Sequence, residues 1–221
     1  MENVLLANIA WNTKGWAEVQ PNPKFNDFGY PPHESLNFNF DKKINDKKYG
    51  DEKYVHGNVA FVDRIKPKYF EDDGLILFCS TMVDEMGDSE VGDTSSVRSN
   101  KCIVGLYGKS KMVKWTTYDW KGLRKDKGAF NIVAEKDFSI HFPVYLDYDK
   151  YMKGKTTWFV KRFTYQLHFE LAKQIILDEI VELKKRKGYK NDIARLKNIF
   201  EYYFGRFDKR YSAIFSPKPR N

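Results

Sequence analysis

The 221-residue sequence predicts an α+β fold, a small curved β-barrel with flanking helices and a C-terminal helical pair. Three observations carry this. Asp73-Gly-Leu-Ile-Leu-Phe-Cys-Ser80 and Lys101-Cys-Ile-Val-Gly-Leu-Tyr-Gly108 are short apolar runs rich in β-branched and aromatic residues, the pattern of buried strands. The second run carries glycines inside the strand, where a bulge, a bend or the close approach of a ligand is the usual reason. Beyond residue 165 the apolar spacing changes to a period of about 3.6 residues, that of an amphipathic helix.

The elements follow in order. Val4 to Ala10 reads as the first strand. Residues 17–50 form a long irregular stretch punctuated by Pro21, Pro23, Pro31 and Pro32, inside which Glu34 to Phe40 alternates as a short strand. Tyr54 to Val62 reads as another strand, and Lys66 to Asp72 as a turn or short helix. After the two runs above comes a basic loop, residues 109–127, holding Trp115 and Trp120. Ala129 to Ala134 and Phe138 to Phe142 complete the β-rich part. Leu167, Leu171, Ile175, Ile176, Ile180 and Leu183 mark the first helix, which ends in Lys184-Lys-Arg-Lys187 and Gly188. Cations in a last turn suit the helix dipole, and glycine beyond it is a common stop. Ile193, Leu196, Phe200, Tyr203 and Phe207 mark the second helix, with Asp192 near its start. The expected division is a barrel over 1–150, helices packing on or extending it over 151–215, and a linker over 216–221.

Composition narrows the class. With 42% hydrophobic and 31% charged residues the chain is expected to be soluble and globular, and no apolar run approaches a membrane span. The first apolar run is too short and wrongly flanked for a signal peptide. Cys79 and Cys102 are too few for a disulfide framework and lack metal-ligand spacing, so buried thiols in a reducing, cytoplasmic setting are expected. The net charge of +8 favours anionic partners. It is also segregated: Lys109, Lys111, Lys114, Lys121, Arg124, Lys125 and Lys127 crowd one stretch, whereas Asp84, Glu85, Asp88, Glu90 and Asp93 crowd another.

No phosphate-binding loop or dinucleotide fingerprint is present. His33, His56, His141 and His168 are scattered without metal spacing, and Cys79 has no base near it in sequence. Asp72-Asp73 would suit a nuclease but also fits a turn before a strand. The aromatics say more. Trp11 and Trp16 flank Asn12-Thr-Lys-Gly15, and Trp115 and Trp120 sit among lysines. Tryptophan beside lysine in a polar setting can stack an unpaired base while the cations hold its phosphates. Reading one modified base in a duplex further requires extruding it into a shaped pocket. There an asparagine such as Asn12 or Asn58 can address the base edge.

The order of these elements, from the asparagine loop after the first strand through Leu75-Ile-Leu-Phe-Cys-Ser80, Ile103-Val-Gly-Leu-Tyr-Gly108, the tryptophan loop and Gly128-Ala-Phe-Asn-Ile132, resembles the YTH/EVE branch of PUA-like domains. It is especially similar to the YTH-like N-terminal DNA-binding domains of archaeal McrB proteins in modification-dependent restriction systems. The resemblance covers roughly residues 3–145. It implies a pseudo-barrel that flips a methylated base, N6-methyladenine in YTH relatives, into an aromatic cage. By position Phe61 stands where the family has its first cage tryptophan, Trp115 or Trp120 supplies the second wall, and Asn12 matches the polar contact to the base. Trp11 or Trp16 would replace the missing wall. The phosphate contacts would come from Lys14, Lys109, Lys111, Lys114, Lys121, Arg124 and Lys125. The resemblance also implies attachment to, or assembly with, an AAA+ motor and a nuclease subunit, with no cofactor, metal or catalysis in this chain. Three other readings stay open: an RNA reader of the same fold, a nuclease with dispersed carboxylates, and an assembly scaffold using the helices.

Overall fold

The computed structural model describes residues 4–20, 36–42, 44–59, 73–121, 127–153, 158–161 and 164–205. Over these the elements are β1 (Val4–Ile9), β2 (Tyr54–Gly57), β3 (Gly74–Thr81), β4 (Lys101–Asp119), β5 (Lys127–Glu135), β6 (Ser139–Asp147), α1 (Tyr148–Met152), β7 (Trp158–Lys161), β8 (Thr164–Gln166), α2 (Phe169–Lys184) and α3 (Lys190–Phe204). The α+β class holds. Six strands form a mixed sheet in the order β7-β8-β1-β3-β4-β6, in which only β1 and β3 run parallel. Every residue of β3 but the last is buried, so this central strand is covered on both faces.

The expected barrel is not found: among the described residues the sheet stays open. Closure would need β6 to meet β7. Instead the outer edge of β6 is capped by the loop after β3, where Asp93 N donates to Pro143 O and Tyr145 N donates to Asp93 O, both at 2.9 Å. An edge strand whose ladder groups are already satisfied has nothing to offer a further strand.

β4 is the strand that organises the rest. Its first half, to Ser110, lies between β3 and β6, while its second half pairs with β5, which in turn pairs with β2. β4 pairs with β5 from Asp119↔Lys127 to Lys111↔Val133 and with β6 from Tyr107↔Ser139 to Cys102↔Asp147, with a register shift inside each pairing, so residues 101–147 form one long bent hairpin. Much of the stretch expected to be a basic loop is therefore strand, up to Asp119. The bend falls at the middle of β4. There Lys109 adopts φ 46°, and its N–H is accepted by the Tyr203 hydroxyl of α3, which donates to Gly74 O at 3.1 Å. Asp73, φ 63°, precedes that carbonyl. Two left-handed non-glycine residues are thus clamped by one tyrosine from the last turn of α3. Each such residue costs on the order of 1–3 kcal/mol and persists only where its surroundings hold it.

Other expectations shift as well. Leu36–Phe40 is a turn and not a strand. β2 stops at Gly57, because Asn58 and Val59 are held by side-chain amides: Asn58 N donates to Asn37 Oδ1 at 2.8 Å and Val59 N to Asn131 Oδ1 at 3.0 Å. The segment 66–72 lies outside the described residues. The helices match their periodicity. α2 buries Ile175, Ile176, Ile180 and Leu183, and Gly188 takes φ +99° beyond its basic end. α3 buries Leu196, Ile199, Phe200 and Tyr203. α2 also carries Glu179 into the core, where one carboxylate oxygen accepts from Val144 N at 3.3 Å and the other has no partner. From the C-terminal part of the chain, β8 joins the sheet beside β1.

Candidate nucleic-acid interface

The second half of β4 alternates between a dry and a wet face. Thr116 pairs with Phe130 and Tyr118 with Gly128, and Tyr118 and Phe130 are buried in a small core with Leu36, Ile44 and Val133. Strand alternation then turns Trp115, Thr117 and Asp119 outward. The register slips between Met112 and Thr116, and this bulge puts Lys114 and Trp115 in succession on the exposed side. The Trp115 indole is 48% exposed, unusual for so large an apolar ring.

Cations are distributed along the ribbon. Lys114 and Lys121 are exposed, and Lys127 reaches Asp119 across the hairpin. Lys111 lies over the rings of Tyr49 and Tyr54, at 5.4 and 5.9 Å. At the root of the ribbon Lys109 pairs with Glu135 at 3.1 Å and sits 4.0 Å over Phe138 and 4.8 Å over Tyr202. Trp120 is half-buried, edge-on to Tyr118, and anchors the ribbon to the small core. The ribbon thus presents one indole and a row of ammonium groups on a rigid antiparallel pair.

The other expected residues are placed elsewhere. Trp11 and Trp16 are fully buried, with their indole N–H groups donating to Gly87 O at 3.0 Å and Ala10 O at 2.7 Å. They belong to an aromatic cluster with Tyr145 and His141, in which the Phe38 ring touches Trp16, Phe78, Tyr107 and His141. Asn12 holds its own loop: its Oδ1 accepts from Lys14 N at 2.8 Å and its amide donates to Glu18 O at 2.9 Å. Asn58 is buried and donates to Ala129 O at 3.3 Å. Lys14 pairs with Glu90 of the acidic loop, and Asp93 of that loop accepts from Arg186. Phe61, Arg124, Lys125, His33 and Asp72 lie outside the described residues.

The strand glycines also acquire partners. A Cβ on Gly105 would meet Phe38 Cζ and Ile140 O, each at 2.6 Å, and one on Gly108 would meet Phe138 O at 2.9 Å. The backbone approach they permit is made by the chain itself. The sequence held no signal that Phe38, from the irregular stretch, would be the ring that docks there.

Burial governs the titratable groups of the interior. It pushes the Cys79 thiol up to about 11, opposite to what a nucleophile needs. It lowers His141, whose ring bonds the Tyr145 hydroxyl at 2.9 Å, to about 3. Lys42 is a residue that sequence reasoning missed. It is buried with no carboxylate paired to it among the described residues, donates to Leu36 O at 3.0 Å and His56 O at 2.9 Å, and is lowered by desolvation to about 7. Among the described residues no three His, Cys, Asp or Glu side chains converge as a metal site, and no helix is long and apolar enough to cross a membrane. No protein family, curated protein or solved structure matches this chain.

Proposed function

We propose that the chain binds nucleic acid through the outward face of the β4–β5 ribbon, and that its target is DNA carrying a methylated base, N6-methyladenine first. The observation that carries the reading is the exposed Trp115 indole, next to exposed Lys114 on the outward side of an antiparallel strand pair that also bears Lys111 and leads to Lys121. A flat exposed ring supplies about 1–3 kcal/mol of stacking to an unpaired or flipped base, while the ammonium groups hold phosphates on either side. Trp11 and Trp16 are occupied in the core, so the stacking role falls on Trp115. The methyl preference is supported by the resemblance to YTH/EVE domains and by the affinity of an indole for added apolar surface. On this reading the chain is a targeting module, and cleavage belongs to its partners.

Paired binding titrations test it, with one duplex carrying a single N6-methyladenine and an unmethylated twin at matched salt. The methylated duplex should bind tighter, and Trp115→Ala should weaken it by about tenfold, the equivalent of ~1.4 kcal/mol, while the salt slope is kept. Equal binding of the two duplexes would defeat the methylated-base reading. Unchanged affinity in Trp115→Ala would defeat the ribbon itself. An RNA strand bearing the same base, bound more tightly than the DNA, would reassign the target.

A further inference from the structure

We infer that Tyr203, in the last turn of α3, is a positioning residue: its hydroxyl sets the bend from which the β4–β5 ribbon starts, and with it the aim of Trp115. This rests on the nucleic-acid reading above for its purpose, but not for its geometry. The bend is built from an irregularity of β4. Between Ile76↔Tyr107 and Gly74↔Ser110, β4 takes three steps against two of β3, so one residue has no place in the ladder. Lys109 lies in this excess and adopts the left-handed region, φ 46°, which residues with a side chain rarely visit. Across the strand pair Asp73, at φ 63°, is a second such residue.

The Tyr203 ring is brought to this point from two directions. α3 buries Leu196, Ile199, Phe200 and Tyr203 along one face. Gly108 leaves the ring room to lie against β4, since a Cβ there would stand 3.2 Å from Tyr203 Cε2. The hydroxyl then accepts from Lys109 N and donates to Gly74 O at 3.1 Å. Gly74 O also accepts from the Ser110 hydroxyl at 2.7 Å. Loss of the Tyr203 hydroxyl therefore leaves that carbonyl a donor and strips the Lys109 N–H of its acceptor. The Lys109 side chain is held separately, by Glu135 at 3.1 Å and the Phe138 ring at 4.0 Å. A left-handed residue persists only where its surroundings hold it, and for the Lys109 backbone the hold is this hydroxyl. Beyond it β4 pairs with β5 and carries Trp115. The small core around Tyr118 and Phe130 stiffens that outer part, so a change of angle at Lys109 moves Trp115 with it.

Pulsed electron paramagnetic resonance tests this through the distance between spin labels on Thr117→Cys, on the ribbon, and Lys187→Cys, just after α2. Both positions are exposed, whereas Cys79 and Cys102 are buried. Four labelled proteins are compared: the parent, Tyr203→Phe, Tyr203→Phe/Lys109→Gly, and Tyr151→Phe, which loses a hydroxyl bonded to Asp178 at 2.8 Å away from the ribbon. The parent should give one distance, and Tyr203→Phe a second population. Adding Lys109→Gly should restore the parent distance, because glycine enters the left-handed region without steric cost. Tyr151→Phe should match the parent. An unchanged distribution in Tyr203→Phe overturns the inference. So does an equal change in Tyr151→Phe, or a double variant that stays displaced. Titration with the methylated duplex tests the purpose. Tyr203→Phe should lose affinity in proportion to the molecules that leave the parent distance, about twofold when half of them do. Undiminished affinity from a displaced ribbon, in a protein that Trp115→Ala weakens, overturns the positioning role. If Trp115→Ala also binds like the parent, the ribbon reading falls, and the displacement still shows that Tyr203 sets the bend.

Discussion

Replacing Lys42 by methionine should flatten the pH dependence of stability of this protein. The Lys42 amine titrates ordinarily at 10.5 and here at about 7, because burial disfavours its charged form and no carboxylate among the described residues compensates. Its folded pKa lies below its unfolded one, so between these values the unfolded chain holds a proton that the folded chain lacks. The group's contribution to stability is therefore fully present above pH 10.5 and is lost as pH falls towards 7. Between pH 9 and pH 7 that loss amounts to about 2 kcal/mol. Two neighbours do not titrate in this window. His56, lowered by its own burial to about 4, stays neutral, and the Tyr118 hydroxyl is pushed up by burial. Methionine leaves neither carbonyl orphaned, since Leu36 O still accepts from Asn39 N at 3.2 Å and His56 O from the Tyr107 hydroxyl at 3.5 Å. Urea unfolding followed by tryptophan fluorescence at pH 7 and pH 9 measures the difference. The parent should gain about 2 kcal/mol over Lys42→Met on going from pH 7 to pH 9. Parallel behaviour of the two proteins, or a relative loss by the parent, would refute the argument.

Two further substitutions probe the interior. Glu179 is wholly buried and its carboxyl is held well above the usual range, chiefly by desolvation, so its stability contribution is complete below 4.5 and declines as pH rises. Glu179→Gln should accordingly gain thermal stability on the parent as pH goes from 5 to 8, and melting curves that shift in parallel would count against it. Gly105→Ala should cost about 1–3 kcal/mol by overpacking against Phe38 and Ile140 O. Much of that cost should return in the Phe38→Leu background, where additivity in the double-mutant cycle would show that Phe38 is not the obstacle.

The parts legible in the sequence were those whose burial is written in consecutive residues. β1, β3 and β5 each carry a mostly apolar run, and α2 and α3 repeat their apolar residues at helical spacing. The second half of β4 was not, because one of its faces is wet: Lys109-Ser-Lys-Met-Val-Lys-Trp has the charge of a loop and the alternation of a strand. β7 and β8 did carry a signal in Trp158-Phe-Val and Thr164-Tyr, overshadowed by the helical pattern that follows. At the candidate site, the polar company of Trp11 and Trp16 suggested exposure. The loop instead folds both indoles inward, using Asn12 as its brace, and that outcome depends on partners such as Phe38 and Tyr145 that are remote in sequence. Trp115 could be placed among lysines from the sequence, but its outward aim needed the register of β4 against β5.

The position of β1 has a consequence for how the chain is made. This strand sits inside the mixed sheet, with Leu75 of β3 opposite Val4 on one side and Gln166 of β8 opposite Leu5 on the other. During synthesis it leaves the ribosome before either neighbour exists. Until the residues of β8 emerge it is an apolar strand with an open ladder, the feature most prone to pairing with another chain. The hairpin 101–147 has partners adjacent in sequence, which favours early closure, whereas β1 waits for β8, far along the chain. A strand made before both of its neighbours is thus exposed for longer than the hairpin that follows it.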